Sequence, residues 1–385
     1  MSLSYRELKR RYDADGARKT VTHLSEALTA GHLTPRDFSL RDLAEALIPD
    51  GGAWVRGLDP REHGATALLE AGTGVDASAF LNVTGQLISH EILRAYRHES
   101  FVFSKLVRTI PTRLDGERIP GVEGLADSAR EIGPGMPYPN AGFGEDYVDT
   151  PPTKKHGLIV PVTREAIFFD RTHLVLSRAA EVGELLGVNK EKRIADVVLG
   201  IVNPYKRLGA SSNTYLDAGA WINAIAENPL EDWTNVDVVE QMFADMLDPS
   251  TGEPIVQRAT TVLVMPARRH AAHRVFNAST IDYTNGDATT TAANPLGNYR
   301  VLESRLAYRR LLAAGVSAGD AQDYWYVGEF DRAFAYMENW PVTVTQSGPQ
   351  SEADFNQDLV VRFKASERGA PAVLNPRYVV QSKNT

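Results

Sequence analysis

The stretch from Thr112 to about Pro152 constrains this chain more than any other. Gly116, Gly121, Gly124, Gly133, Gly135, Gly142 and Gly144 alternate there with Pro120, Pro134, Pro137, Pro139 and Pro151. Glycine is too permissive and proline too restrictive for regular helix, and about forty residues exceed an ordinary loop. "GLIVPVT" (Gly157–Thr163) then reads as a strand, with Pro161 favouring a sheet edge. A hairpin of roughly 45 residues at about 3.3 Å per residue could reach ~75 Å. No small domain buries such a limb against itself. It is either disordered or it lies on another subunit.

The 385 residues allow two or three domains with cores of their own. A net charge of −8 excludes a basic nucleic-acid clamp over the whole chain. The first twenty residues differ: Arg6, Lys9, Arg10, Arg11, Arg18 and Lys19 outnumber Glu7, Asp13 and Asp15. A solvated helix face is the preferred reading of that excess, ahead of a nucleic-acid contact. The chain has no cysteine, which excludes disulfides, thiol nucleophiles and Cys-type metal sites and suits a reducing cytoplasm. No apolar run suggests a signal peptide or a membrane span, and Met1 at the start argues against N-terminal processing.

Thr34-Pro35 reads as a helix start, Leu40, Leu43, Ala44, Leu47 and Ile48 as one apolar face, and Pro49 to Gly52 as the stop. So short a helix must dock on something. A second helix is predicted from Asp76 to about Ala95, with Phe80, Val83, Leu87 and Ile88 inward, and a strand over Phe101–Pro111. The longest helical signal begins at a capping Asp170, carries Leu174, Leu185, Leu186, Ile194, Val197, Val198 and Ile201, and ends at Asn203-Pro204. About 33 residues would span ~50 Å, a strut, with Gly183 and Gly187 marking a possible bend. Beyond Tyr215 the pattern is α+β. It has a helix opened by Thr234 and Asp237, a buried strand Thr260–Pro266, a polar loop Thr284–Tyr299, and strands Tyr324–Phe330, Phe334–Trp340 and Val342–Gln346. Asp354 to Ser382 reads as a hairpin with a charged centre, Arg362, Lys364, Glu367 and Arg368.

Catalytic signals are weak. His270 and His273 have a metal-like spacing, but no third ligand is near and Arg268, Arg269 and Arg274 would repel a cation. "GTGVDA" (Gly72–Ala77) is half a dinucleotide fingerprint without a preceding strand. "HEILR" at His90 begins like a zinc-protease helix, but Arg94 replaces the second histidine. No catalytic residue, metal site or cofactor is assigned, and the chain reads as a non-enzyme.

The order of parts, and above all Trp325 to Val380, resembles phage major capsid proteins of the Hong Kong 97 type. The closest echoes are Gly328-Glu329-Phe330-Asp331-Arg332-Ala333, the acidic linker Glu352 to Asp358, the charged strand Leu359 to Lys364 and the closing strand Pro376 to Val380. The resemblance implies an α+β capsid fold with an N-terminal arm over residues 1–75, including the short amphipathic helix. Residues 76–111 would be a helix and strand leading into the peripheral domain, and 112–162 the extended E-loop reaching over the neighbouring subunit. Residues 163–214 would hold the peripheral domain with its spine helix, 215–330 the axial domain, and 331–385 strands returning to the peripheral domain. Some family members cross-link a lysine to an asparagine. Here Asp358 falls at that position, with Asn356 two residues away and Ala365 near the assisting glutamate's place, so no cross-link is expected. Lys154 and Lys155 are then salt-bridge partners.

Shell subunits make heterologous contacts that close into rings, and many modest contacts add up through multivalency. Charges along a strand discourage indiscriminate sheet extension while matching one partner. The candidate assembly contacts are therefore Arg118, Arg130, Glu131, Glu145, Asp146, Lys154 and Lys155 in the limb, with Arg362, Lys364, Glu367 and Arg368 near the end. The expected partners are further copies of the chain, as pentamers and hexamers. Portal, scaffold and cementing proteins could join them, with non-specific proximity to packaged double-stranded DNA and no membrane. The expected location is the virion, after assembly in the host cytoplasm. Two alternatives are an encapsulin-like nanocompartment, which would hold a cargo enzyme in place of DNA, and a soluble hydrolase with an unrecognised carboxylate site.

Overall fold

The computed structural model describes residues 5–58, 77–120, 146–219, 221–248, 252, 254–255, 257–285, 288–347 and 359–383. The fold mixes helices with strands, as the α+β pattern predicted, and the chain divides into two units, each built from three separated segments.

The first unit comprises Met1–Ser100, Lys155–Asn189 and Trp340–Arg368. Tyr5–Thr29 is helical on either side of Gly16, whose φ of 80° and ψ of 162° interrupt the hydrogen-bond ladder. Glycine reaches that conformation without strain. Leu8, Leu24 and Leu28 are buried, while Arg6, Lys9, Arg10, Arg18 and Lys19 are exposed on the solvated face. Thr34-Pro35 opens only the 3-10 turn Pro35–Asp37. The amphipathic helix is Leu40–Leu47, capped by Ser39, whose Oγ accepts from Asp42 N at 3.1 Å. All five of its predicted apolar residues are buried. It docks at the start of the long helix. Leu40 N donates to Thr172 Oγ1 at 2.8 Å, Thr172 Oγ1 donates to Asp170 Oδ1 at 2.7 Å, and Ser39 Oγ donates to the same oxygen at 2.9 Å.

The next helix, Ala77–Tyr96, lies where it was predicted, with Phe80, Val83, Leu87 and Ile88 buried. The long helix runs Thr172–Val198, shorter than expected at both ends. Asp170 takes a left-handed φ of 49° outside it, and Gly200 terminates it at φ 74°. Leu174 and Leu185, counted among its apolar stripes, are about half exposed at 50% and 54%. Gly183 marks a close approach, where a Cβ would lie 2.2 Å from Ile92 O, on the neighbouring helix. These helices cover one face of a sheet containing Val160, Val162, Val342, Val361, Phe363 and Ala365, all in one core.

That sheet has four strands in the order Arg108–Pro111, Phe334–Gln346, Leu359–Val373 and Lys154–Thr163. Pro161 therefore sits on an edge strand, as expected. Three expectations change here. Phe334–Trp340 and Val342–Gln346 are one continuous strand through Pro341. The charged C-terminal stretch is a single 15-residue strand, Leu359–Val373, with its charges inside it. Residues Phe330–Ala333, read as part of a strand pair, form a helical turn.

The second unit comprises Phe101–Lys154, Lys190–Asn339 and Gly369–Thr385. Its five-stranded sheet has the order Arg300–Glu303, Thr261–Val264, Trp325–Gly328, Val379–Ser382 and Ala224–Ile225. Both faces are covered, so the strands read as continuous apolar runs. Leu263, Tyr326 and Val379 enter one core, while Val262, Val264, Trp325, Val327 and Val380 enter the other. The helix Trp233–Ala244 is capped by Asp232 with Asn235, two residues earlier than the predicted Thr234 and Asp237. Thr280–Asn285 and Ala288–Ala293 pair as an antiparallel hairpin that takes up the first part of the predicted polar loop Thr284–Tyr299. The β-branched run Thr289–Thr291 suits the second strand of this hairpin.

The predicted strand Phe101–Pro111 becomes a helical turn, Phe103–Leu106, followed by a short strand, Arg108–Pro111. The cause is Glu191, only 1% exposed. Its carboxylate accepts from the backbone N of Val102 (3.2 Å), Phe103 (2.8 Å) and Ser104 (2.6 Å), and from Ser104 Oγ. A distant carboxylate thus supplies the acceptor that local sequence lacks.

Candidate assembly interface

Two places concentrate the charged candidates. The first is the root of the glycine- and proline-rich limb, in the second unit. Arg118–Pro120 pairs antiparallel with Tyr147–Asp149, and Val148 pairs onward with Arg207. Asp115 Oδ1 accepts from Thr153 N at 2.8 Å and Thr153 Oγ1 at 2.9 Å, closing the turn. Asn339 Nδ2 donates to Thr112 O and Leu114 O, fixing the near end to a neighbouring strand.

On this root Arg118 is exposed, stacks 4.4 Å from the Tyr147 ring centre and reaches Asp149 Oδ1 at 3.2 Å. Lys206 Nζ approaches the other Asp149 oxygen at 3.5 Å. Exposed pairs of this kind contribute about 0–1 kcal/mol each, so they leave their cations available to a partner. Asp146 is different. Its side chain is buried and accepts from Arg207 Nε at 2.8 Å, an internal contact of its own subunit. Arg130, Glu131 and Glu145 lie outside the described residues.

The second place is the outer face of the sheet in the first unit. Along Leu359–Val373 the side chains alternate. Val361, Phe363, Ala365 and Glu367 are buried, whereas Lys364 is exposed and Arg362 and Arg368 are half-buried. Lys154 and Lys155 are exposed at the start of the edge strand. Lys155 Nζ lies 5.9 Å from the Trp340 ring centre and Arg368 Cζ lies 5.6 Å from it. Two cations share one indole, each within the outer reach of a cation–π contact worth about 0.5–1 kcal/mol. Glu367 is 1% exposed and accepts from Tyr96 Oη at 2.5 Å, tying the strand to the Ala77–Tyr96 helix.

The structure thus gathers Lys155, Arg368 and Trp340 at one spot and sets Arg362 and Lys364 farther along the same strand. It places Arg118 at the limb root and turns Asp146 and Glu367 inward. Sequence reading missed Trp340, Tyr147, Lys206 and Arg207. Each acquires its role through pairing between strands far apart in the chain, which leaves no local signal. Asp358, Asn356 and the rest of the acidic linker lie outside the described residues, as do residues 72–76 of the glycine motif.

His270 and His273 are both exposed, and among the described residues no three potential ligands cluster for a metal. Glu91 of "HEILR" is buried and pairs with Arg94 at 2.6 Å. No helix among the described residues is long and apolar enough to cross a membrane.

Comparison with known proteins agrees with the resemblance read from the sequence. No curated protein sequence matches the chain. Solved structures with a similar course include "Gordonia phage Cozz", 13% identical, covering 74% of this chain and 86% of that one, at a TM-score of 0.41. "Mycobacterium phage Che8" is 16% identical over 74% and 91%, at 0.40. The "Crystal structure of virus-like particle from Pyrococcus furiosus" is 12% identical over 77% and 97%, at 0.39. Scores this low carry no argument by themselves. The family profile described as phage capsid protein, however, matches residues 147–382, well over half of the chain. The matched region takes in the far strand of the limb root, the long helix, the whole five-stranded sheet, three strands of the four-stranded sheet and with them the charged strand, and on that match this chain belongs to the phage capsid protein family.

Proposed function

We propose that copies of this chain assemble as pentamers and hexamers into an icosahedral shell around viral double-stranded DNA. The observation that carries this reading is the family match over residues 147–382. The limb, residues 112–162, acts as the E-loop and reaches over the adjacent copy from the root built by Arg118–Pro120 and Tyr147–Asp149. Residues 163–214 with the spine helix serve the peripheral domain, and 215–330 the axial domain around the symmetry axes. The exposed cations Arg118, Lys154, Lys155 and Lys364, with Arg362 and Arg368, supply contacts to acidic groups of neighbours.

The limb itself supports that pairing of charges. Residues 121–145 carry Glu123, Asp127, Glu131 and Glu145 against Arg130 alone, so the limb is acidic where the sheet face is basic. Assembly occurs in the host cytoplasm, with portal, scaffold and cementing proteins as candidate further partners.

The test is the particle's content. Shells purified from infected cells should protect double-stranded DNA from nuclease and absorb strongly at 260 nm. Shells that instead hold a cargo enzyme and no protected DNA would move the chain to the nanocompartment reading.

A further inference from the structure

The second unit holds a buried cluster of hydrogen-bond donors that the proposed assembly does not use. Arg377 lies in the turn Pro376–Tyr378 and is 1% exposed. Its guanidinium carbon sits 4.6 Å from the Trp221 ring centre, and Tyr205 packs edge-on against the same indole at 5.7 Å. The segment carrying Trp221 is stitched to the turn by Asn223 Nδ2, which donates to Pro376 O at 2.9 Å and to Val379 O at 3.2 Å. Asn375, also 1% exposed, turns its Oδ1 to accept from Arg377 N at 3.1 Å.

Arg377 Nε and Nη2, Trp221 Nε1, Asn375 Nδ2 and Tyr205 Oη are all buried without a hydrogen bond of good geometry among the described residues, although the Tyr205 hydroxyl and the Arg377 guanidinium lie within reach of each other. Four of these five atoms can only donate. Folded proteins rarely leave even one buried donor unanswered, and several together are costly.

Charge narrows the occupant. Asp248, itself buried, faces the guanidinium through its charge, and Arg207 is a second cation near both Arg377 and Tyr205. Arg207 is already committed to Asp146. Burial pulls the Arg377 guanidinium below its ordinary value and pushes the Tyr205 hydroxyl up, against the pull of the two arginines. A water molecule there could give its own two protons only to the Tyr205 hydroxyl and the Asp248 carboxylate. A small anion has acceptors only.

We infer that Arg377, Trp221, Asn375 and Tyr205 form a buried site for a small inorganic anion, a halide or a compact oxyanion. The guanidinium supplies the charge, the indole supplies one N–H and a stacking face, and the amide and hydroxyl complete the donor set. This assignment is independent of the shell reading.

Thermal unfolding of the purified full-length chain tests it, in chloride, phosphate and gluconate at one ionic strength. The midpoint should stand about 3 °C or more higher in chloride or phosphate than in gluconate, which is too bulky for an enclosed site. The larger rise identifies the class of anion. R377M should abolish the difference. Trp221→Phe, which keeps a ring and drops the N–H, should reduce it. General salt effects on the remaining surface shift wild type and variants alike and cancel in the comparison. Equal wild-type midpoints in the three salts would overturn the inference, as would an anion dependence that Trp221→Phe retains in full. If R377M fails to fold, the Trp221→Phe comparison decides alone.

Discussion

Glu191 and Gly183 show how single residues on the long helix organise what packs around them. Glu191 answers three backbone N–H groups and a hydroxyl at a turn some ninety residues earlier in the chain. Hydrogen bonds to a charged group contribute about 1.5–3 kcal/mol, and buried donors left unpaired add their own penalty. E191A should therefore cost about 3 kcal/mol or more in urea unfolding, and E191Q, which keeps one acceptor oxygen, clearly less. Equal stability of E191A and wild type would contradict the assigned role. Gly183 makes the opposite case, by what it lacks. Gly183→Ala drives a Cβ into Ile92 O and should cost about 1–3 kcal/mol. Gly52→Ala, where a Cβ meets nothing within 4 Å inside the helix Gly51–Arg56, should stabilise by about 0.5–1 kcal/mol. The same unfolding curves read both signs.

At the scale of elements, amphipathic helices were the most legible features. Leu40–Leu47 and Ala77–Tyr96 announce themselves by period, and their predicted faces are the buried ones, although the start read at Thr34-Pro35 belongs to a separate 3-10 turn. In the five-stranded sheet Thr261–Val264 and Trp325–Gly328 were legible as apolar runs because both faces are covered, and Val379–Ser382 as the closing strand, whereas the short edge strands Arg300–Glu303 and Ala224–Ile225 were not. What local pattern could not supply was register. The turn at Phe103–Leu106 depends on Glu191, and Trp340 meets Lys155 and Arg368 only after three distant strands align. The charged centre of Leu359–Val373 resembled a hairpin because charges interrupt its apolar run. In the strand they fall on the face away from the core, except Glu367, which Tyr96 satisfies. Of the candidate site, the cations were visible in the sequence and their sorting into inward and outward sets was not. Reversing both Arg362 and Lys364 to glutamate should weaken assembly steeply, with the defect greatest at low salt and reduced as ionic strength rises. Light scattering across a salt titration reads this, and unchanged assembly curves would remove these residues from the contact set.

For the whole molecule, the proposed shell turns on the relation between the limb and the copy next to it. The root belongs to the sheet and hydrogen-bond system of the second unit, so the limb can be shortened without touching it. Replacing residues 122–144 with a short glycine linker should leave the unfolding midpoint near that of the full chain while abolishing closed shells. Normal shells from that variant would show that the limb is dispensable. The most direct measurement is a cryo-electron microscopy reconstruction of the assembled full-length chain, with residues 121–145 traced. The account predicts closed shells in which that segment lies across the adjacent subunit, its carboxylates facing that subunit's Lys155, Arg362, Lys364 and Arg368. A segment folded back onto its own subunit, or a chain that forms only small discrete oligomers, would contradict it.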